Sequence, residues 1–282
     1  MKQFAIIIFI VTLVSCEKDI TVDLPVYSEK LVVNCAFNNS SPIILDVSHS
    51  IDILSGNRNF FVNDANVKLY ENGVLLQTVP YVLGKYESTI IAIPGRTYKV
   101  VVNRGDYPEA TGESTIPLFT GGLQSSYKDS VSTDSSGFPV GEITVRFADD
   151  GSTRNYYKIF LQSYDNTTMQ FKEMIPVSND PLLVDGSADN SQGGVIISDL
   201  TFNGKTREFK FRTEFGSALG TPKYIITLEL ISKEYYDYLT DIKNFQPNTG
   251  GIISSEPVLV NSNIKNGLGI FTGTYLESDT IR

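Results

Sequence analysis

Short stretches in which apolar and polar residues alternate fill the first part of the chain after residue 27, and a period of two predicts β-strands. Asn72-Gly73 separates two of these stretches, and both residues tolerate the positive φ of a two-residue hairpin turn. About seven short strands in some ninety residues, ending at Ile116-Pro117, are typical of a sandwich of immunoglobulin or transthyretin type. The clearest strands are predicted at 30–37, 42–51, 65–70, 74–79 and 95–102.

The second part of the chain alternates in the same way, after a Gly-, Ser- and Asp-rich segment at 120–141 that is either a linker or a long loop. Asn203-Gly204 predicts a hairpin between 194–202 and 206–215. The glycine-rich stretch 261–273 lacks the spacing of a phosphate-binding loop, so it predicts a turn into the last strand. Further strands are predicted at 141–147, 156–164 and 224–231.

One helix is predicted near 232–245. Ser232 can cap its start, and Pro247 ends the pattern. Apolar residues recur at helical spacing and indicate packing against a core. They are Tyr235, Tyr238, Leu239, Ile242 and Phe245.

These patterns predict an all-β protein with two β-sandwich-like units, the first immunoglobulin/transthyretin-like and the second containing the helix. The predicted division is a signal peptide at 1–15, a tether at 16–27, an N-terminal β-sandwich at 28–118 and a C-terminal β-rich domain at 119–282. The length of 282 residues and the hydrophobic content of 41% suit a packed globular protein. A net charge of -9 without a basic run argues against nucleic acid as a partner.

The first fifteen residues have the three parts of a secretory signal: Lys2, an apolar stretch at 4–14 and the small residue Ser15. Leu13-Val14-Ser15-Cys16 also resembles the bacterial lipobox, which implies cleavage before Cys16 and acylation of its thiol. Two or three acyl chains would anchor the mature protein firmly in a lipid bilayer. An ordinary signal peptide followed by a chance cysteine is the alternative.

Cys35 is then the only other thiol, and it shares a predicted strand face with Leu31, Val33 and Phe37. We therefore expect a buried free cysteine and no intramolecular disulfide. A single histidine, His49, argues against both Ser-His-Asp catalysis and a multi-histidine zinc site, although Asp46 lies three residues before it.

No catalytic, metal or cofactor site is predicted. The serine of Gly216-Ser217-Ala218-Leu219-Gly220 comes one place too early for a nucleophile elbow. Paired carboxylates for glycoside hydrolysis stay open, because such pairs meet in space and not in sequence. The absence of tryptophan weakens the case for glycan binding. Four oxygen-bearing residues could bind calcium, yet their spacing is not that of an EF-hand and a solvated acidic loop is favoured: Asp180, Asp185, Asp189 and Asn190.

Several stretches resemble a Bacteroidota outer-membrane lipoprotein family of unknown function, the DUF4249 family. They are Glu17-Lys18-Asp19-Ile20 with Leu24-Pro25 and Lys30-Leu31-Val32-Val33, then Val67-Lys68-Leu69-Tyr70 with Gly95-Arg96-Thr97-Tyr98-Lys99-Val100, and finally 235–239 with Asn263-Ile264 and Gly267-Leu268-Gly269-Ile270-Phe271. The similarity covers nearly the whole chain. Members are often encoded beside TonB-dependent receptors, so the resemblance implies an accessory role in the cell envelope and carries over no catalytic residue.

Glu17-Lys18-Asp19 also resembles, in part, the signal that sends Bacteroidota lipoproteins to the cell surface. An acidic solvated tether would have the same composition, so the cell surface and the periplasmic face both stay open. Asp129-Ser130-Val131 and Asp279-Thr280-Ile281 are similar to a three-residue O-glycosylation site, which makes Ser130 and Thr280 candidate glycosylation sites.

The sequence thus predicts a non-enzymatic, lipid-anchored outer-membrane protein that serves as an accessory or binding partner of a β-barrel receptor or transporter. Sandwich domains on a tether commonly offer loops or edge strands to partners. The alternative is a surface glycan-binding protein or a carboxylate-dependent hydrolase.

Overall fold

A computed structural model describes residues 28–51, 60–184, 194–214, 223–245 and 260–281, and most of them lie in β-strands, which confirms the all-β prediction. No helix within these ranges is long and apolar enough to cross a membrane. The strands are β1 Leu31–Asn38, β2 Pro42–His49, β3 Asn66–Glu71, β4 Val74–Val79, β5 Tyr81–Val82, β6 Lys85–Ile91, β7 Thr97–Asn103, β8 Ala110–Thr115, β9 Gln124–Thr133, β10 Pro139–Ala148, β11 Tyr156–Asp165, β12 Gln170–Glu173, β13 Val195–Ser198, β14 Thr206–Glu214, β15 Tyr224–Ile231 and β16 Leu268–Ile281. The helices are α1 Pro181–Val184 and α2 Lys233–Phe245, with a 3-10 helix at Asp199–Thr201.

The first core lies between two sheets. One contains the first half of β16 followed by β1, β2, β6 and β5, and the other has the order β4-β3-β7-β8. Alternate residues of β1 point into this core, among them Cys35, which is buried and free as predicted. Asn72 and Gly73 have φ of 48° and 83° and join β3 to β4, so the predicted hairpin is confirmed.

The second core lies between β12-β11-β15 with the second half of β16 on one side and β14-β10-β9 on the other. Helix α2 lies outside this core, where Ser232 Oγ approaches Thr272 Oγ1 of β16 at 3.3 Å. Ser232 also accepts a hydrogen bond from the backbone N–H of Tyr235 at 3.1 Å, which is the predicted N-terminal cap. Leu239 of the predicted apolar stripe is buried.

Two predictions for the second part of the chain are wrong. The strands on either side of Asn203-Gly204 do not form a hairpin, because β13 pairs with β11 while β14 pairs with β10 in the opposite sheet. The 3-10 helix after β13 turns the chain between the sheets. The segment 120–141 is neither a linker nor a plain loop, since it contains β9. Among the described strands β9 pairs only with β10, and its side chains are mostly polar, so its sequence shows no apolar alternation.

The last strand joins the two cores. Residues 268–274 of β16 pair in parallel with β1, and residues 275–281 pair antiparallel with β15. Tyr275 lies where the partner changes and packs against both cores. Beyond the end of β1, the side-chain amide of Asn39 bonds both backbone groups of Leu276, with Nδ2 to the carbonyl oxygen at 3.2 Å and the backbone N–H to Oδ1 at 2.7 Å. One sheet therefore runs through both units.

Candidate functional site

His49 belongs to a polar cluster at the end of the first sandwich where β1 begins and β2 ends. Its Nδ1 lies 3.3 Å from Glu29 Oε2 and 3.1 Å from the carbonyl oxygen of Ser50. Tyr107 donates its hydroxyl hydrogen to the same Glu29 oxygen at 2.7 Å, and this hydrogen bond raises the pKa of Tyr107. These contacts hold His49 against a carboxylate and a carbonyl, neither of which it could activate as a nucleophile. Asp46 pairs instead with Lys85, at 3.2 Å.

The remaining candidates from the sequence give no catalytic or metal centre in the described part of the chain. Burial raises the pKa of the Cys35 thiol, so Cys35 does not supply a thiolate nucleophile. Asp180 pairs with Arg207 at 2.5 Å, while Asp185, Asp189, Asn190 and the 216–220 stretch lie outside the described residues. Groups of three or more His, Cys, Asp or Glu side chains able to hold a metal do not occur within the described ranges.

Two buried carboxylates that sequence reasoning missed, Asp149 and Asp199, fasten loops of the second unit. Asp149 accepts hydrogen bonds from the Tyr157 hydroxyl at 2.5 Å and from the backbone N–H of Gly204 at 2.7 Å. Asp199 accepts from the backbone N–H of Asn155 at 2.8 Å and lies 3.2 Å from Arg154 Nε. Burial and the bond to Asp149 raise the pKa of Tyr157. These hydrogen bonds hold the loops in their conformations. The two carboxylates are buried, so they do not form a catalytic pair that a sugar could reach.

Cys16 and Glu17-Lys18-Asp19 lie outside the described residues, so lipidation and the export signal stay predictions. Ser130 and Thr280 are both exposed, as a glycosylated residue has to be, and their modification stays a prediction as well. The Asp279 carboxylate before Thr280 accepts hydrogen bonds from both the backbone N–H and the hydroxyl of Ser125, at 3.0 and 2.6 Å.

One feature that the requirements of folding do not explain is an apolar strand edge. Strand β4 pairs only with β3 among the described strands, so one side of its backbone is open. Its first three residues, Val74, Leu75 and Leu76, are exposed to 67%, 49% and 38%. We call these three residues the β4 edge. Edge strands are usually protected by charge or proline, and residues 74–79 contain neither.

A bulge in β4 lets three consecutive apolar side chains be exposed. Leu69 pairs with Gln77 and Tyr70 pairs with Leu75, so Leu76 is an extra residue between them. The second half of β4 is not open to a partner strand. The Gln77 side chain accepts a hydrogen bond from the backbone N–H of Thr89 in β6, and Val79 is buried. The open part is therefore the half next to the Asn72-Gly73 turn. Three apolar residues in a row after that turn were the signal in the sequence.

Comparisons with known proteins give a family and nothing more specific. No curated protein matches the chain. A family model described as "Domain of unknown function (DUF4249)" matches residues 17–278, nearly the whole chain. The chain therefore belongs to the DUF4249 family, as its sequence motifs predict.

Proposed function

We propose that the protein is a non-enzymatic outer-membrane lipoprotein that is anchored through acylated Cys16 and binds a β-barrel receptor or transporter as an accessory protein. The observation that carries the proposal of a binding role is the β4 edge, an apolar strand edge without charge or proline. The lipobox-like residues 13–16 support the anchor, and the family resemblance supports the envelope setting.

The β4 edge suits an extended segment of another protein. Such a segment adds a strand by bonding to the free backbone groups, while its side chains pack on those of the edge. The bulge at Leu76 and the contact of Gln77 with Thr89 limit where a partner segment can pair. Only the half of β4 next to the Asn72-Gly73 turn is open to it. A short added strand with apolar contacts gives a reversible association, which fits an accessory subunit that joins and leaves a transporter.

Co-purification tests the partner. A tagged chain is solubilised from its natural host in mild detergent, and proteins bound to it are identified by mass spectrometry. We expect a β-barrel protein with the wild type and its loss with Leu75→Lys, which places a charge in the edge. Ile175→Lys is the matched control, because Ile175 is 57% exposed and lies outside the strands.

Two results would contradict the binding role. One is the absence of any barrel protein from the wild-type sample, and the other is a barrel protein retained equally by Leu75→Lys. If the purified chain instead cleaves or binds glycans, the alternative function takes its place.

The anchor and the membrane face have separate tests. Globomycin, which blocks lipoprotein signal cleavage, should cause the precursor to accumulate, and Cys16→Ala should release the protein from the membrane fraction. Replacing Glu17-Lys18-Asp19 by alanines should make a surface-exposed protein inaccessible to protease added to intact cells. If the three alanines leave that accessibility unchanged, these residues are not the export signal.

A further inference from the structure

The end of the first sandwich nearest the tether can be traced through the strand register. Leu31, the first residue of β1, pairs with His49, the last residue of β2, so both mark one end of the sheet. Phe61 bridges Ser48 at the same end. Ser28, where the described chain starts, precedes β1 here. We call this end the base.

A hairpin turn also lies at the base. Strand β6 runs antiparallel to β2, so the start of β6 faces the end of β2. The two residues before β6, Leu83 and Gly84, form the turn from β5 with φ of 46° and 99°. The Leu83 side chain is 99% exposed, so it makes no contact that stabilises the fold.

The choice of leucine at this turn works against folding. The turn between β3 and β4 has nearly the same φ values, 48° and 83°, and there the first residue is Asn72. Asparagine tolerates a positive φ, whereas a leucine there is strained by its side chain. Leu83 is thus both strained and exposed, and neither burial nor backbone preference explains it.

Other apolar residues accompany Leu83 at the base. Phe61 is 66% exposed, and its ring lies 4.5 Å from that of Phe60, measured between centroids. Val82, next to Leu83, is exposed as well. We call Phe60, Phe61, Val82 and Leu83 the base patch.

We propose that the base patch contacts the lipid bilayer to which the protein is anchored. This inference rests on the anchor in the proposed function. Eleven residues lie between Cys16 and Ser28, and the twelve residue steps from one to the other span at most about 43 Å, so the base stays within that distance of the anchor. Exposed leucine and phenylalanine side chains at such a distance enter the boundary between headgroups and acyl chains.

The contact would orient the molecule. Val62 bonds to Val47 of β2 at the base and β3 begins four residues later, so β3 runs away from the base. Glu71 at its end pairs with Val74, which places the β4 edge at the opposite end of the sandwich. Strand β16 starts at the base beside β1 and continues past its end into the second unit. With the base on the lipid, the β4 edge and the second unit face away from the membrane and stay available to a partner.

The natural lack of tryptophan allows a direct test. Leu83→Trp and Val74→Trp each introduce a single reporter at an exposed apolar position of a hairpin, one at the base and one at the opposite end. The chain from Cys16 onward is coupled through that thiol to a maleimide lipid in vesicles of phosphatidylethanolamine and phosphatidylglycerol. Cys35 is buried and should not couple, which a Cys16→Ala sample verifies.

Quenching by brominated acyl chains is then measured for both variants. We expect the tryptophan of L83W to shift to shorter wavelength and to be quenched several-fold more strongly than that of V74W. Equal quenching and equal emission of the two variants would overturn the proposal. Because the anchor is installed chemically, this outcome does not depend on whether cells acylate Cys16, so the two proposals fail separately.

A second pair of variants separates lipid contact from misfolding. Phe61→Trp is used as the reporter, alone and together with Leu83→Asn. Asparagine suits the positive φ, so the double variant should melt at a temperature no lower than that of F61W alone. Its tryptophan should nevertheless be quenched less. Unchanged quenching in the double variant would show that Leu83 does not contact the bilayer.

Discussion

Removing the side chain of Asn39 tests whether it extends the shared sheet beyond β1. Asn39→Ala deletes the two hydrogen bonds to the backbone of Leu276. Each bond contributes about 0.5–1.5 kcal/mol net, and the site is only partly buried, so water replaces some of what is lost. We expect the free energy of unfolding to fall by about 1–2 kcal/mol, with a decrease in Tm of a few degrees.

Urea unfolding followed by circular dichroism measures this change, and amide hydrogen exchange should show faster exchange of the Leu276 N–H. Ser40→Ala is the control, because Ser40 is exposed and its hydroxyl donates a hydrogen bond to its near neighbour Asn38. This control should stay within about 0.5 kcal/mol of the wild type. If Asn39→Ala is no less stable than Ser40→Ala, the side chain does not act as a continuation of the strand.

Two further substitutions test the environment of the long shared sheet, one within it and one in the strand that packs against β16. Burial raises the pKa of the half-buried Glu229, beside Lys158, above its ordinary value of 4.5, so its ionised form is disfavoured in the folded state. Glu229→Gln should therefore raise Tm at neutral pH, and the gain should shrink as the pH falls toward 4.5; a gain that is constant with pH would exclude this cause. Gly112→Ala would place a Cβ 2.7 Å from both Ile264 Cδ1 and Phe271 Cβ, and we expect a loss of about 1–3 kcal/mol in chemical denaturation. Glu113 is the exposed neighbour of Gly112, so Glu113→Ala should change stability far less. Similar losses in the two variants would contradict the close packing around Gly112.

Local patterns were sufficient for the elements that depend on local physics. The bounds of β4 and β15 agree with their predicted ranges, because a tight turn or a clean alternation defines each of them. The cap of α2 by Ser232 and the burial of Cys35 follow from the same kind of signal. Fold class could thus be predicted from the sequence.

Pairing partners could not be predicted in this way. Nothing in the alternation of β1 indicates that Asn34 lies beside Ile270, 236 residues later. The candidate sites have the same difficulty, since the exposure of Leu75 and Leu83 depends on which strands become edges and which turns face the base. Their signals, an apolar run after Asn72-Gly73 and a leucine before Gly84, acquire meaning only once the sheets are assembled.

The position of β16 in the sheet has a consequence for the order of folding. During synthesis β1 is made early, yet one of its two neighbours, β16, is the last of the described strands. Until β16 arrives, the first sheet has an unpaired edge that can bond to other chains. Pairing between strands so far apart in the sequence forms slowly. The first sheet is therefore completed only when β16 is made, and a chain truncated before Leu268 would lose a strand from both cores at once.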